Sequence, residues 1–142
     1  MTDVRVTNGD EEIAAALGLR RAVFVEEQGV PLHEELDDRD AEALHLVALD
    51  GPDVVGTCRL LDDGDALKLG RMAVAARARR RGVAGRLLEE AEAQARARGI
   101  DRIRLSSQLG ARPVYERAGY VAYGGLFLDA GIEHVMMEKA LA

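Results

Sequence analysis

Cysteine, lysine and tryptophan are nearly or wholly absent from this sequence, and the shortages remove whole classes of explanation. The one cysteine, Cys58, has no intramolecular partner for a disulfide. With His33, His45 and His134 scattered along the chain, neither CxxC nor HxxxH spacing occurs, which argues against a metal site. No apolar run approaches the roughly 18 residues that span a bilayer. The opening Met1-Thr2-Asp3-Val4-Arg5 also lacks the basic-then-apolar build of a signal peptide, so a cytoplasmic protein with no membrane partner is expected. The 19 basic residues, of which only Lys68 and Lys139 are lysines, face 25 acidic ones, a net charge of −6. That balance speaks against a general nucleic-acid binder, whose affinity comes from neutralising phosphates. Any anion site must therefore be local. Because arginine stands for lysine almost throughout, its abundance says little and its placement says more.

What remains is an ordinary globular composition. Aromatics make up 4% of residues, so aliphatic side chains must supply the core. At 142 residues one well-buried core is expected, and residues 1–142 read as a single domain with no repeat or linker dividing it. Val4 and Val6 alternate with polar neighbours as a short strand. Asn8 or Asp10 can cap a helix running through Ile13, Leu17, Arg20 and Phe24. From Glu26 to Glu42 the chain holds eight acids against one base, Arg39, and reads as a solvated loop with at most a short helical piece. Leu44–Leu49, Val54–Leu61 and Leu67–Val74, joined by short turns, make an antiparallel meander. Val83, Leu87, Leu88, Ala91 and Ala95 then recur at helical spacing until Gly99 ends the helix. Ile100–Leu105 is a strand, Ala111–Ala118 a short helix, and Tyr120–Tyr123 and Ile132–Glu138 are two last strands. This order predicts an α/β protein with a mixed sheet and helices packed on it.

The segment between Val74 and the long helix carries the strongest chemical signal. The first turn of a helix leaves about four N–H groups unpaired and about half a positive charge, so it attracts a phosphate. Gly82 can take a positive φ, and Ala84 and Gly85 let a ligand approach. Arg77, Arg79, Arg80, Arg81 and Arg86 concentrate cations here. Neither Gly-Lys-Ser/Thr nor GxGxxG is present, which sets aside a Walker loop and a dinucleotide fold.

Arg79-Arg80-Arg81-Gly82-Val83-Ala84, placed after a strand carrying Gly70-Arg71-Met72-Ala73-Val74 and opening a long amphipathic helix, resembles the acetyl-CoA motif of the GCN5-related N-acetyltransferase (GNAT) superfamily. Tyr115 stands four residues before Gly119-Tyr120, in the form Tyr-x-x-x-Gly-Tyr that members frequently have. The stretch Arg21-Ala22-Val23-Phe24-Val25-Glu26-Glu27-Gln28-Gly29-Val30-Pro31, the later Glu35, Asp37 and Asp40, Gly56-Thr57-Cys58-Arg59-Leu60 and Gly131–Met137 are similar to the ElaA/YjcF-like subgroup. Two departures stand out. Ser106-Ser107-Gln108 takes the place of a common Ala-Gln pair, and Arg112-Pro113-Val114-Tyr115 that of a Phe-Tyr pair. The Phe-Val-x-Glu-Gln segment is also similar to acyl-homoserine-lactone synthases, but the chain is short for them and keeps the acetyl-CoA loop.

The resemblance implies the acyl-CoA N-acyltransferase fold, a mostly antiparallel sheet flanked by helices, and acetyl transfer from acetyl-CoA to a primary amine of a small molecule by direct attack in a ternary complex. It assigns cofactor binding to Met72, Ala73, Val74, Arg79, Arg80, Arg81, Gly82, Val83, Ala84 and Gly85. A backbone N–H near Met72 or Ala73 would donate to the carbonyl oxygen. Tyr115 would protonate or steady the departing thiolate. For the base, Glu26, Glu27, Glu35, His45 and His134 remain open, with Glu27 and His134 preferred. The acidic segment can draw a cationic amine toward the cleft. The alternative function is a CoA-binding regulatory module without turnover, and a homodimer is left open. Cys58, a small residue on a central strand, reads as buried and apolar rather than nucleophilic.

Overall fold

The structure, a computed structural model, describes residues 2–142. Seven strands form one sheet in the order β1-β2-β3-β4-β5-β7-β6: β1 (Thr2–Val6), β2 (Leu44–Asp50), β3 (Asp53–Asp63), β4 (Ala66–Val74), β5 (Arg102–Gln108), β6 (Val121–Asp129) and β7 (Ile132–Ala140). Every pairing is antiparallel except β4 with β5. Helices α1 (Asp10–Arg20), α2 (Leu32–Glu35), α3 (Val83–Ala97) and α4 (Arg112–Arg117) complete the fold. Among the described residues no helix is long and apolar enough to cross a membrane. This is the mixed α/β architecture expected.

Helix α3 is the best-packed helix, and its sequence shows why. Val83, Leu87, Leu88, Ala91 and Ala95 are buried on one face against the sheet. Its end is a Schellman motif: the Gly99 N–H reaches the Arg96 carbonyl at 3.0 Å and the Ile100 N–H that of Ala95 at 2.9 Å, with Gly99 at φ +71°. Its start is pressed onto β3 at Gly56, where a Cβ would stand 2.7 Å from Val83 Cγ1 and 3.1 Å from Leu87 Cδ1. Only glycine lets the N-terminus of α3 sit this close to the sheet.

Four local expectations need correction. Helix α1 has no side-chain cap; Gly9 stands at the N-cap, and the Glu12 carboxylate reaches back to the Asn8 N–H at 2.6 Å. The helix does not run on as one α-helix to Phe24, because Arg21–Glu27 widens into a π-helical segment. Its β-branched Val23 and Val25 flank Phe24, and the Val30 N–H returns to the Phe24 carbonyl at 2.8 Å. Glu26 and Glu27 are thus helical rather than part of a loop. In β6, the strand continues past Tyr123 to Asp129, and with β7 it makes a hairpin closed by Ala130 and Gly131, both at positive φ. Tyr120 precedes the strand and is buried, and most of β6 is an exposed edge.

Most of the acidic segment is exposed, as expected, but Glu35 is buried, Asp40 half-buried, and with Asp37 they are paired to arginines. Arg20, 1% exposed, holds Glu35, 2% exposed, through Nε and Nη2, the latter at 2.8 Å from Oε2, and reaches Asp40 Oδ1 with Nη1 at 2.7 Å. Arg59 binds Asp37 with two bonds of 2.7 Å and shares Asp40 at 2.9 Å. Arg71 reaches Glu35 at 2.8 Å and Asp37 at 3.2 Å. Three buried or half-buried cations from α1, β3 and β4 thereby neutralise three carboxylates. The physical reason is that charges leave water only when paired and hydrogen-bonded.

Candidate active site

Strands β4 and β5 run together for only three rungs, Leu67–Leu69 against Ile103–Leu105, and then part. A bulge in β4 lies where the parting begins. Thr57 faces Ala73 but Arg59 faces Gly70, so β4 carries one extra residue, and Arg71 sits at φ +52°. A non-glycine residue in that region costs on the order of 1–3 kcal/mol, and the surroundings must hold it there. Here Glu35 and Asp37 hold it by the Arg71 guanidinium. The acidic segment therefore fixes the shape of β4 at the cleft.

The parted strands open into a cavity of about 570 Å³. Glu27 and Gln28 of the π-helical segment, Met72 and Val74 of β4, Arg79, Ala84 of α3, Gln108 of β5, Tyr115 of α4 and His134 of β7 are among its lining residues. At one end stands the α3 N-terminus. The first helical bond there runs from the Arg86 N–H to the Gly82 carbonyl at 3.1 Å, which leaves the amides of Val83, Ala84 and Gly85 without a helical partner. Gly82 adopts φ +76°, Arg80 φ +64°, and a Cβ on Gly82 or Gly85 would meet nothing within 4 Å. This is a cradle with free donors and open space, and its chemistry suits a diphosphate.

The cations around it are fewer than expected. Arg77 is tied to Asp50 and Asp53, and Arg86 donates to the Thr2 carbonyl. Arg79 makes a two-point pair with Glu27, both bonds 2.7 Å, and its Nε donates to the Val74 carbonyl at 3.0 Å. Arg80 and Arg81 are exposed and make no ion pair among the described residues. Sequence reasoning saw five like charges but not the acids that three-dimensional neighbours bring to them. The side chains of Ala73 and Val83 turn into the core, so only their backbone groups are available to a ligand.

Of the five candidate bases, four are engaged or remote. Glu35 and His45 belong to the buried network, the latter through Nε2 at 2.9 Å from the Asp40 carbonyl. Glu26 is exposed beside Arg21. Glu27 is gripped by Arg79, whose hydrogen bonds hold its carboxyl below the usual range, and a carboxylate so stabilised is a weaker base. His134 differs. Its Nδ1 lies 2.7 Å from the Ile132 carbonyl, which can only accept, so Nδ1 carries the hydrogen and the neutral ring keeps a lone pair on Nε2. Phe127 stacks on the ring with centroids 5.8 Å apart.

Tyr115 is buried edge-on against Tyr120, centroids 6.2 Å apart at 72°. Burial, with a smaller contribution from Cys58, pushes its phenol well above the ordinary value, so it stays protonated and can donate a hydrogen bond. Cys58 is 1% exposed and its thiol is pushed up to about 12 by burial, which leaves it inert. Sequence reasoning missed Arg20, Arg59 and Arg71 as the frame of the cleft. A charged residue inside the buried run Val55–Leu61 was the available signal.

Comparison with known proteins shows the family and the fold. The acetyltransferase (GNAT) domain family matches residues 7–141. The uncharacterized N-acetyltransferase YjcF of Bacillus subtilis (strain 168) is 38% identical over 136 residues, which cover 94% of this chain and 96% of that protein. The crystal structure of an acyl-CoA N-acyltransferase from Pseudomonas aeruginosa superimposes with a TM-score of 0.87 at 30% identity, covering 99% of this chain and 100% of that one. Escherichia coli ElaA, at 22% identity, shares the fold with a TM-score of 0.86 over 98% of this chain and 99% of its own.

Proposed function

The chain belongs to the GNAT acetyltransferase family, and from that premise we propose that it moves an acetyl group from acetyl-CoA to a primary amine of a small molecule. Acyl transfer from an acyl-CoA is the activity of the family. The finer reading rests on one observation above all: an α3 N-terminus with unpartnered amides opens beside two parted strands.

Bound there, acetyl-CoA supplies an activated acyl carbon on a thiol leaving group. The amides of Gly82, Val83, Ala84 and Gly85, with Arg80 and Arg81, hold the diphosphate. Arg79 reaches the same site once it releases Glu27, so Glu27 acts as its counter-ion rather than as the base. The free edge of β4 at Met72, Ala73 and Val74 offers backbone groups to an extended chain, and an N–H near Met72 or Ala73 donates to the oxygen that gains charge. His134 Nε2 takes the proton from the ammonium; after attack the nitrogen's second proton passes to the departing sulfur, which the Tyr115 phenol steadies by a hydrogen bond. Attack is direct, since Cys58 is sealed and protonated and no other nucleophile is called for.

Two measurements test this. Calorimetry with CoA measures binding, and thiol release from acetyl-CoA with a panel of amines measures turnover. Micromolar binding with amine-dependent release is expected. CoA affinity too weak to measure would remove the reading.

A further inference from the structure

Among the described residues, two buried side-chain polar atoms lack a hydrogen-bond partner, Arg59 Nε and Ser106 Oγ. Both lie where β4 and β5 begin to part, in side chains that line the cavity. Arg59 pairs with Gly70 across β3 and β4, and Ser106 follows Leu105, the last β5 residue paired to β4, through Leu69. Gly70 has no side chain, and a Cβ there would meet nothing within 4 Å. Arg59, Gly70 and Ser106 all line the cavity.

Arg59 is 5% exposed, and its terminal nitrogens are committed to Asp37 and Asp40, so its Nε–H is fixed with nothing to donate to. Native structures keep few such groups, and two in side chains that line one cavity mark where a ligand's acceptor atoms sit. Two residues along β4, on the same face as Gly70, stands Lys68, between Leu61 and Arg104. Arg39, Arg59, Arg71 and Arg79 also line the cavity and each has a carboxylate partner, whereas Lys68 has none among the described residues. Glu34 and Asp129 line the same cavity without an ion pair and suit an ammonium.

We propose that the place where β4 and β5 part, at Arg59, Gly70 and Ser106, is a carboxylate subsite for the acceptor. The substrate amine also carries a carboxylate, which lies over Gly70, accepts from Arg59 Nε–H and Ser106 Oγ–H, and is faced by the unpaired Lys68. Amino acids and short peptides are the class that presents both groups. The amine half of this statement rests on the acetyl-transfer reading; the carboxylate half rests on the orphan donors.

The test pairs each of a set of L-amino acids and dipeptides with its C-terminal amide. Thiol release from acetyl-CoA and the ligand-induced rise in melting temperature at saturating CoA are both read. The acids should be preferred about tenfold or more, the value of one charge-assisted hydrogen bond. Ser106→Ala, which removes a hydroxyl that has no partner, and Gly70→Ala, which fills the open position, should each abolish the preference without changing CoA affinity. Equal handling of acids and amides, or a preference that survives both variants, overturns the subsite and leaves acetyl transfer standing. Should no amine release thiol while acids alone raise the melting temperature of the wild type and of neither variant, the subsite stands and the transfer reading falls. If no acid raises it and no thiol appears, both fall.

Discussion

Gly82→Asp separates a diphosphate cradle from a merely arginine-rich turn. The residue sits at the N-cap of α3 with φ +76° and open space where a side chain would go. Aspartate tolerates that backbone better than most residues, and at an N-cap its carboxylate can accept from the free amides, so the fold should survive. The added charge faces the bound phosphates. At about 5 Å and an effective dielectric of about 20–40, one pair of like charges is worth about 1.7–3.3 kcal/mol, or a roughly 20- to 250-fold loss of CoA affinity. Gly82→Asn, of nearly the same shape without the charge, should lose far less. Titration calorimetry at low and high salt checks both variants, and the Asp penalty should shrink as salt screens it. If Gly82→Asp binds CoA like the wild type while melting within a few degrees of it, the phosphates are not at this helix.

Other consequences are independent of that site. Tyr115→Phe should lower kcat about a hundredfold with CoA affinity unchanged, because the phenol acts only as thiolate departs; equal kcat would make the ring structural. Glu35→Gln takes the countercharge from Arg20 and Arg71, and should cost about 3 kcal/mol, visible as a drop of roughly 10 °C in melting temperature. Arg59 holds the Asp37 carboxyl far below its ordinary range, and Arg20 and Arg59 together lower that of Asp40 against its burial. Groups with depressed folded values stabilise above the unfolded value near 4 and lose that contribution as pH falls through the folded one. Melting temperature should thus hold from pH 7 to about 5 and decline below about 4. Cys58 should resist thiol reagents at pH 8 in the native protein and react at once in denaturant, as its thiol is pushed up to about 12.

Local patterns carried the parts of the fold that repeat. The apolar spacing from Val83 to Ala95 and the stop at Gly99 are both realised in α3, and the three-strand meander is β2, β3 and β4. The helix start proposed to cradle the diphosphate was legible because helix ends act through backbone, which spacing reveals. Less legible was everything fixed by distant partners. Nothing near Glu27 in the chain announces Arg79, 52 residues away, and nothing near Asp37 announces Arg59. A run of acids reads as solvated until the sheet supplies its cations. The parting of β4 from β5 has the same origin, since the bulge at Arg71 depends on Glu35, 36 residues earlier. The π-helical widening at Arg21–Glu27 is invisible to an apolar repeat of 3.6 residues.

The interlocked set Arg20, Glu35, Asp37, Asp40, Arg59 and Arg71 constrains how this protein can vary over evolutionary time. Each member answers to at least two others, so a lone replacement strands a charge away from water, while a matched replacement does not. Descendant sequences should therefore keep the sextet whole or exchange it in compensating groups. The exposed residues of the edge strand β6, bound by no such pairing, are free to drift one residue at a time.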